Sequence, residues 1–424
     1  MKVWSRLVFL GVVLITLAGC LRDDDEPIAP TRPISRLYIS TSNFSTNPEV
    51  EVIENVYIVD PADAEGFSTT AFRYRTGAIG GSAISYSPDA QLLFQSGLNV
   101  DVNFADNSVQ VLSIDTLRGS LSPQGQVNNV LITSVRGIAY HPSSDLLFLA
   151  NTRPAAQPIP PAINPPGISP TSVMATVGPT QSDVFVYRRP RARNQPALPN
   201  FRIPFTDKMV RAVFIHDISI QQNDRRNRIY FSTVSPENAQ ATIGEVLVYN
   251  DLPDRLLNSP DSVRRINPDF TLTIPTARSL TGMAYSPRLD LMVATEAPPA
   301  SGAVQGQGRI LIFENFSTHS ANAQIAPDRI ITGTQTRLTN AVSIAIDNRE
   351  RGKYMYVADS GSGTVGGVVL RFLITNEGNV EPDGVLTIPN RVPVSISLDA
   401  RGTIPVDTIA TNGSSGGSAR IGRR

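Results

Sequence analysis

The chain has 424 residues, 41% of them hydrophobic and 17% charged, with 37 basic against 37 acidic side chains. It is too apolar for a disordered chain and too long for one small domain, and its zero net charge gives no electrostatic footing for a nucleic-acid partner. The 30 glycines and 33 prolines favour many turns over long helices, and the single cysteine excludes both an internal disulfide and a cysteine-based metal cluster.

At the N-terminus, Lys2 and Arg6 flank the start of an apolar run, Leu7 to Leu17, of the length of a secretory h-region and too short to span a bilayer comfortably. The next residues, Leu17-Ala18-Gly19-Cys20, resemble the lipobox of bacterial lipoproteins. The resemblance implies that residues 1–19 are a signal peptide, that Cys20 is lipidated, and that the membrane is a partner through this N-terminal lipid. Several acyl chains on one residue make such an anchor effectively permanent. Leu21 stands where an aspartate would resemble an inner-membrane retention signal, so the expected location is the outer membrane of the cell envelope. Asp23-Asp24-Asp25-Glu26 reads either as an acidic surface-export signal or as a solvated spacer. With Pro27, Pro30 and Pro33 it makes residues 20–35 a stiff tether.

Beyond the tether one short pattern recurs, an apolar, a small and then an aromatic or apolar residue. Its copies are Ile84-Ser85-Tyr86, Ile138-Ala139-Tyr140, Ile218-Ser219-Ile220, Met283-Ala284-Tyr285, Ile344-Ala345-Ile346 and Ile396-Ser397-Leu398, spaced about 62 residues apart on average. Turn residues such as Ser87-Pro88-Asp89 and His141-Pro142-Ser143 follow most copies, and then a second apolar run, so each copy predicts a hairpin. Third runs such as Val184-Phe185-Val186-Tyr187 and fourth runs such as Phe201-Arg202-Ile203 complete units of four strands, the signature of a propeller blade. The small residue at the centre of each first strand lets neighbouring sheets approach where they crowd at the axis.

The first blade lacks a first strand. Leu37-Tyr38-Ile39, Val56-Tyr57-Ile58-Val59 and Phe72-Arg73-Tyr74 supply its other three, and Ile396-Ser397-Leu398 is surplus at the far end. The expected fold is therefore all-β, a propeller of six four-stranded blades over residues 36–410 whose N- and C-terminal strands share a blade. Ile404 to Ala410 is left over and keeps a seventh blade open, and residues 411–424 form a Gly/Ser/Arg tail predicted to be disordered. The phrases Arg136-Gly137-Ile138-Ala139-Tyr140-His141-Pro142 and Tyr356-Val357-Ala358-Asp359-Ser360-Gly361 resemble NHL and lactonase-like propeller repeats, a likeness that concerns fold more than function.

Up-and-down strands place the second-to-third loops and the blade-to-blade loops on one face. The longest of these, Asn151 to Ser182, is rich in proline. The mouth of the ring on that face would gather Arg136, Arg211, Arg337 and Arg391, which precede first strands. It would also gather Asn151, Glu296 and Asp359, which end second strands, and His216-Asp217 from another. In the gluconolactonase-like propellers that the repeats resemble, central acidic and amide side chains hold a divalent cation such as calcium. By that resemblance Asn151, Glu296 and Asp359 are the candidate set; the residues themselves demand no cofactor. No other catalytic template is present.

The leading expectation is a non-enzymatic, monomeric, lipid-tethered propeller that binds a protein, glycan or envelope component. A metal-dependent lactonase-like hydrolase using the same mouth, and a periplasmic assembly scaffold, are the alternatives.

Overall fold

Among the described residues, twenty-five strands, paired almost entirely antiparallel, account for nearly all the regular structure. The computed structural model describes residues 33–44, 53–69, 72–98, 106–115, 119–152, 182–205, 208–221, 224–234, 244–277, 279–297, 307–361 and 366–403, the side chains of 217–226, Val234 and Thr403 excepted. Cys20, the signal segment, most of the tether, Ile404 to Ala410 and the tail lie outside them. The ring itself is the unit Ile34–Ala400.

In chain order, β1 (Pro33–Thr41), β2 (Val56–Val59) and β3 (Arg73–Tyr74) begin blade I. Blade II is β4 (Gly81–Ser87), β5 (Leu92–Gly97), β6 (Ser108–Ile114) and β7 (Leu121–Asn128). Blade III is β8 (Val135–His141), β9 (Leu146–Thr152), β10 (Ser182–Arg188) and β11 (Phe201–Phe205). Blade IV is β12 (Met209–Gln221), β13 (Asp224–Val234), β14 (Gly244–Asn250) and β15 (Phe270–Ile274). Blade V is β16 (Leu280–Ser286), β17 (Leu291–Glu296), β18 (Arg309–Glu314) and β20 (Arg329–Ile331), and its outer loop lends β19 (Ala323–Gln324) to the edge of blade IV. Blade VI is β21 (Ala341–Ile346), β22 (Tyr354–Asp359), β23 (Val368–Leu373) and β24 (Gly384–Leu386). The last strand, β25 (Pro393–Thr403), pairs with β1, so blade I reads β25-β1-β2-β3 and the N- and C-terminal strands share one sheet, as the sequence predicts. There are six sheets, and the only α-helix among the described residues is Leu252–Leu257.

The hairpins form where the turn signals predicted them. Asp145 and Asp290 adopt the left-handed backbone that a tight turn needs, at φ 52° and 48°. Each is held there by the tyrosine five residues earlier, Tyr140 and Tyr285, whose hydroxyl donates to the carboxylate at 2.7 Å. One repeat lies elsewhere than expected. In blade IV the pairing Val213↔Phe231 and Phe214↔Tyr230 aligns Val213-Phe214-Ile215 with the other inner strands, not Ile218-Ser219-Ile220. The hairpin of β12 and β13 continues past the ring as far as Gln221↔Asp224, and its overrun repeats the apolar alternation that mimics the motif.

Apolar residues of neighbouring blades meet in six clusters, one in each gap of the ring. The two that flank blade I test closure most directly. Leu37 and Ile39 pack with Tyr356, Ala358 and Ile396 on one side, while Tyr38 and Ile58 pack with Ile84 and Leu93 on the other. Each fully buried aliphatic of this kind contributes about 2 kcal/mol, so both flanks of blade I are held by buried apolar contacts, with the smaller cluster on the blade II side.

The small residues of the inner strands do more than make room. An innermost strand has one edge without a sheet partner, and its backbone groups need hydrogen bonds from elsewhere. Hydroxyls from neighbouring blades supply them. Ser82 donates to Val135 O at 2.9 Å, Thr281 to Ala341 O at 2.6 Å, Ser343 accepts from Ile396 N at 3.2 Å, and Ser395 and Ser397 accept from Ile84 N and Tyr86 N at 3.1 and 2.8 Å. Serine and threonine at the axis therefore lace one blade to the next.

Candidate functional site: the mouth and channel of the ring

Five inner strands carry an irregularity at the same place, one to three residues from their starts: between Gly81 and Ile84, Val135 and Gly137, Val210 and Val213, Leu280 and Gly282, and Ala341 and Ser343. A bulge there turns the strand as it enters the ring. It also brings backbones close. A β-carbon added to Gly137 would stand 2.5 Å from Arg211 O and 2.9 Å from Val213 N of the next blade.

The loops that lead into these strands are pinned from the ends of the second strands. In blade III, Asn151 Oδ1 accepts from Thr133 N at 2.8 Å and Ser134 N at 3.0 Å, and its amide nitrogen donates to Leu131 O at 3.3 Å. In blade VI the carboxylate of Asp359 accepts from Thr339 N and Oγ1 at 2.7 and 2.6 Å, Asn340 N at 3.0 Å and Gly361 N at 2.9 Å. In blade V, Glu296 pairs with Arg309, whose Nε lies 2.7 Å away and whose Nη2 donates to Thr276 O at 2.8 Å in the loop before β16. Asn151 and Asp359 are wholly buried, Glu296 nearly so.

Blade II makes the same brace by another route. Gly97 holds the position of Asn151 and Asp359, opposite Gly81 at the start of the inner strand. Asp106 from the returning strand fills the space, so close that a β-carbon on Gly97 would overlap it. Its carboxylate accepts from Ile79 N at 2.9 Å and from Ser108 N at 3.1 Å. Burial raises the Asp106 pKa above the ordinary aspartate value, against the hydrogen bonds from Ser108 and Ile79. Sequence reasoning missed Asp106. The signal was a glycine at the brace position followed by Asp106-Asn107-Ser108, an aspartate positioned to bond its own chain two residues on.

As placed, Asn151, Glu296 and Asp359 do not fit a divalent-cation centre, because their oxygens already serve backbone amides, a hydroxyl or Arg309, each within its own part of the ring. Among the described residues no three His, Cys, Asp or Glu side chains stand close enough to hold a metal ion.

The other predicted residues separate. Arg337 is exposed, in left-handed backbone at φ 59°, before β21. Arg391, before β25, donates to Tyr57 Oη at 3.1 Å. Arg211 is half-buried in β12. His216 lies farther along β12, toward the hairpin face, and packs edge-on against Tyr285 with ring centres 4.9 Å apart. The side chain of Asp217 lies outside the described residues. Arg136 alone of the four arginines lines the axial channel.

That channel encloses about 280 Å³. Its wall is made by the inner strands of all six blades, with Ile84, Ile138, Val213, Met283, Ile344 and Ile396 at one repeated position. Phe214 takes the place of a small residue in blade IV and stacks flat on Tyr230, ring centres 4.5 Å apart. Arg136 is the one charged residue among the described lining residues. Its side chain is open to the lumen but ringed by protein, and that crowding lowers its pKa below the ordinary arginine value.

No protein-family model and no curated protein matches the sequence. Among solved structures the chain is similar to the periplasmic gluconolactonase of Pseudomonas aeruginosa, with 14% identity over 88% of this chain and 100% of that one and a TM-score of 0.47. It is also similar to a Bacteroides fragilis protein provisionally described as a 6-phosphogluconolactonase (10% identity, 84% of this chain, 83% of that one, TM-score 0.43). A third is a chain of a nidogen–laminin complex (9% identity, 86% and 98%, TM-score 0.45). These likenesses are too distant to assign a chemistry, and the propeller stands on its own six sheets.

Proposed function

We propose that this protein is a lipid-anchored binding module of the bacterial cell envelope, tethered to the outer membrane through Cys20, whose long-loop face receives a protein or glycan. The observation that carries the reading is the pinning of the mouth. Asn151, Asp106, Glu296 with Arg309, and Asp359 hold the loops around the channel by bonds to their backbones or to the strands beside them. Polar side chains spent this way make a rigid platform. Rigid scaffolds that carry long loops are a general arrangement for recognition. Two exposed aliphatics, Ile79 and Val130, stand on the loops leading into blades II and III and offer apolar contact beside the channel.

Two experiments test this. Cys20→Ser is expected to move the protein from the membrane pellet to the soluble fraction; continued pelleting would contradict the anchor. For the platform, Thr152 and Ser182 face each other in adjacent strands, so residues 153–181 can be replaced by a two-residue turn without disturbing the sheet. Pull-downs from solubilised envelopes should retain a specific component with the intact chain and lose it with the shortened loop. Equal retention by both would refute a role for the loop.

A further inference from the structure

We propose that the axial channel is a binding site for a small anion, a carboxylate or phosphate group, held by Arg136. The inference goes beyond the role proposed for the loop face and stands on the channel alone, so the two can fail separately.

Several shielded arginines elsewhere among the described residues have acidic partners. Arg36 meets Asp60 at 2.8 Å, Arg202 meets Asp183 at 2.8 Å, Arg371 meets Asp383 at 2.6 Å, and Arg349 meets Asp347. Arg136 has no ion pair or hydrogen-bond partner among the described residues, and no carboxylate lines the channel with it. A guanidinium crowded by the ring yet open to the lumen, with no carboxylate beside it, carries an unneutralised charge, and its lowered pKa reflects that crowding. An anion would offset it. The guanidinium offers a planar fork of N–H donors that matches carboxylate or phosphate oxygens two at a time.

The remaining wall suits such a guest. Ser343 stands on blade VI, opposite blade III in the ring, and Ser395 and Ser397 stand on blade I. Each hydroxyl oxygen accepts from an inner-strand amide, which leaves its own hydrogen to donate into the lumen. Arg136 is the second residue of β8, and β8 starts on the long-loop face, so the site opens at the mouth. A volume of about 280 Å³ lies just below the usual range of ligand pockets, roughly 300 to 1,000 Å³, and suits a small molecule rather than a chain segment.

The test is isothermal titration of the purified full-length protein in detergent with inorganic phosphate and, separately, with malonate, at ionic strength held constant with chloride. Saturable binding of one or both is expected, weakened at least tenfold in Arg136→Gln and unchanged in Arg337→Gln. Preference for phosphate or for malonate then distinguishes a phosphoryl ligand from a carboxylate ligand. No saturable binding of either probe, or equal affinity in wild type and Arg136→Gln, would overturn the proposal. Should Arg136→Gln fail to fold, the Arg136 Nε–H resonance of the wild-type protein replaces it. That resonance should shift saturably on adding the bound probe, and a resonance that stays fixed would refute the site.

Discussion

Asp359→Ala is expected to destabilise the ring by about 3 kcal/mol, because a buried acceptor is removed and its donors are left without a partner. The Asp359 carboxylate accepts from Thr339 N and Oγ1, Asn340 N and Gly361 N, and it is fully shielded from water. Alanine leaves those donors in place and offers nothing in return. Asp359→Asn keeps one oxygen and the shape, so it should cost less than half as much. Urea denaturation of the two variants against wild type checks the order, and Gly366→Ala is the control, since a β-carbon at Gly366 meets nothing within 4 Å. Equal midpoints for Asp359→Ala and wild type would mean that the loop before β21 is held by something other than this carboxylate.

Gly137→Ala is expected to cost a similar amount, about 3 kcal/mol, for the opposite reason: too much matter in place of too little. The added carbon would press on Arg211 O, Val213 N and Ala212 Cα, which belong to the backbone of the neighbouring inner strand and cannot turn aside as a side chain would. Blades III and IV would have to separate at the axis. Thermal unfolding should show a lower melting temperature with a single transition, because the blades share their cores and unfold together. A melting temperature within a degree of wild type would contradict the close approach of these two strands.

Both sites bear on what could be read from the sequence. The hairpins and the composite blade were legible because their signals are local. Turn residues such as Asp145 and Asp290 sit between apolar runs, and a missing first strand at one end was matched by a surplus at the other. The blade IV repeat was misplaced because Phe214 occupies a small-residue position. Its ring is accommodated by stacking on Tyr230 of the adjacent strand and on Tyr285 of the next blade, partners that no local pattern reveals. The positions of Asn151, Glu296 and Asp359 at the ends of second strands were legible, but their partners were not. Those partners are largely backbone amides, which look alike at every residue, and Asp106 reaches Ile79 only because Gly97 leaves space across the hairpin. Arg136 and Arg391 looked equivalent. The fold separates them by giving Arg391 the hydroxyl of Tyr57, more than three hundred residues away in sequence, and giving Arg136 an open lumen.

The channel, its pinned mouth and the lone cation within it all depend on the ring being closed by the last strand. Ser42 N donates to Val392 O at 3.0 Å, so the two residues are neighbours although they lie near opposite ends of the chain. Cysteines placed at Ser42 and Val392 in a Cys20→Ser background, treated with a short bismaleimide and mapped by peptide mass spectrometry, measure that proximity. A closed ring predicts one intramolecular cross-link in the monomer, in high yield. Two thiols that each react with a monofunctional maleimide yet never with each other would contradict it.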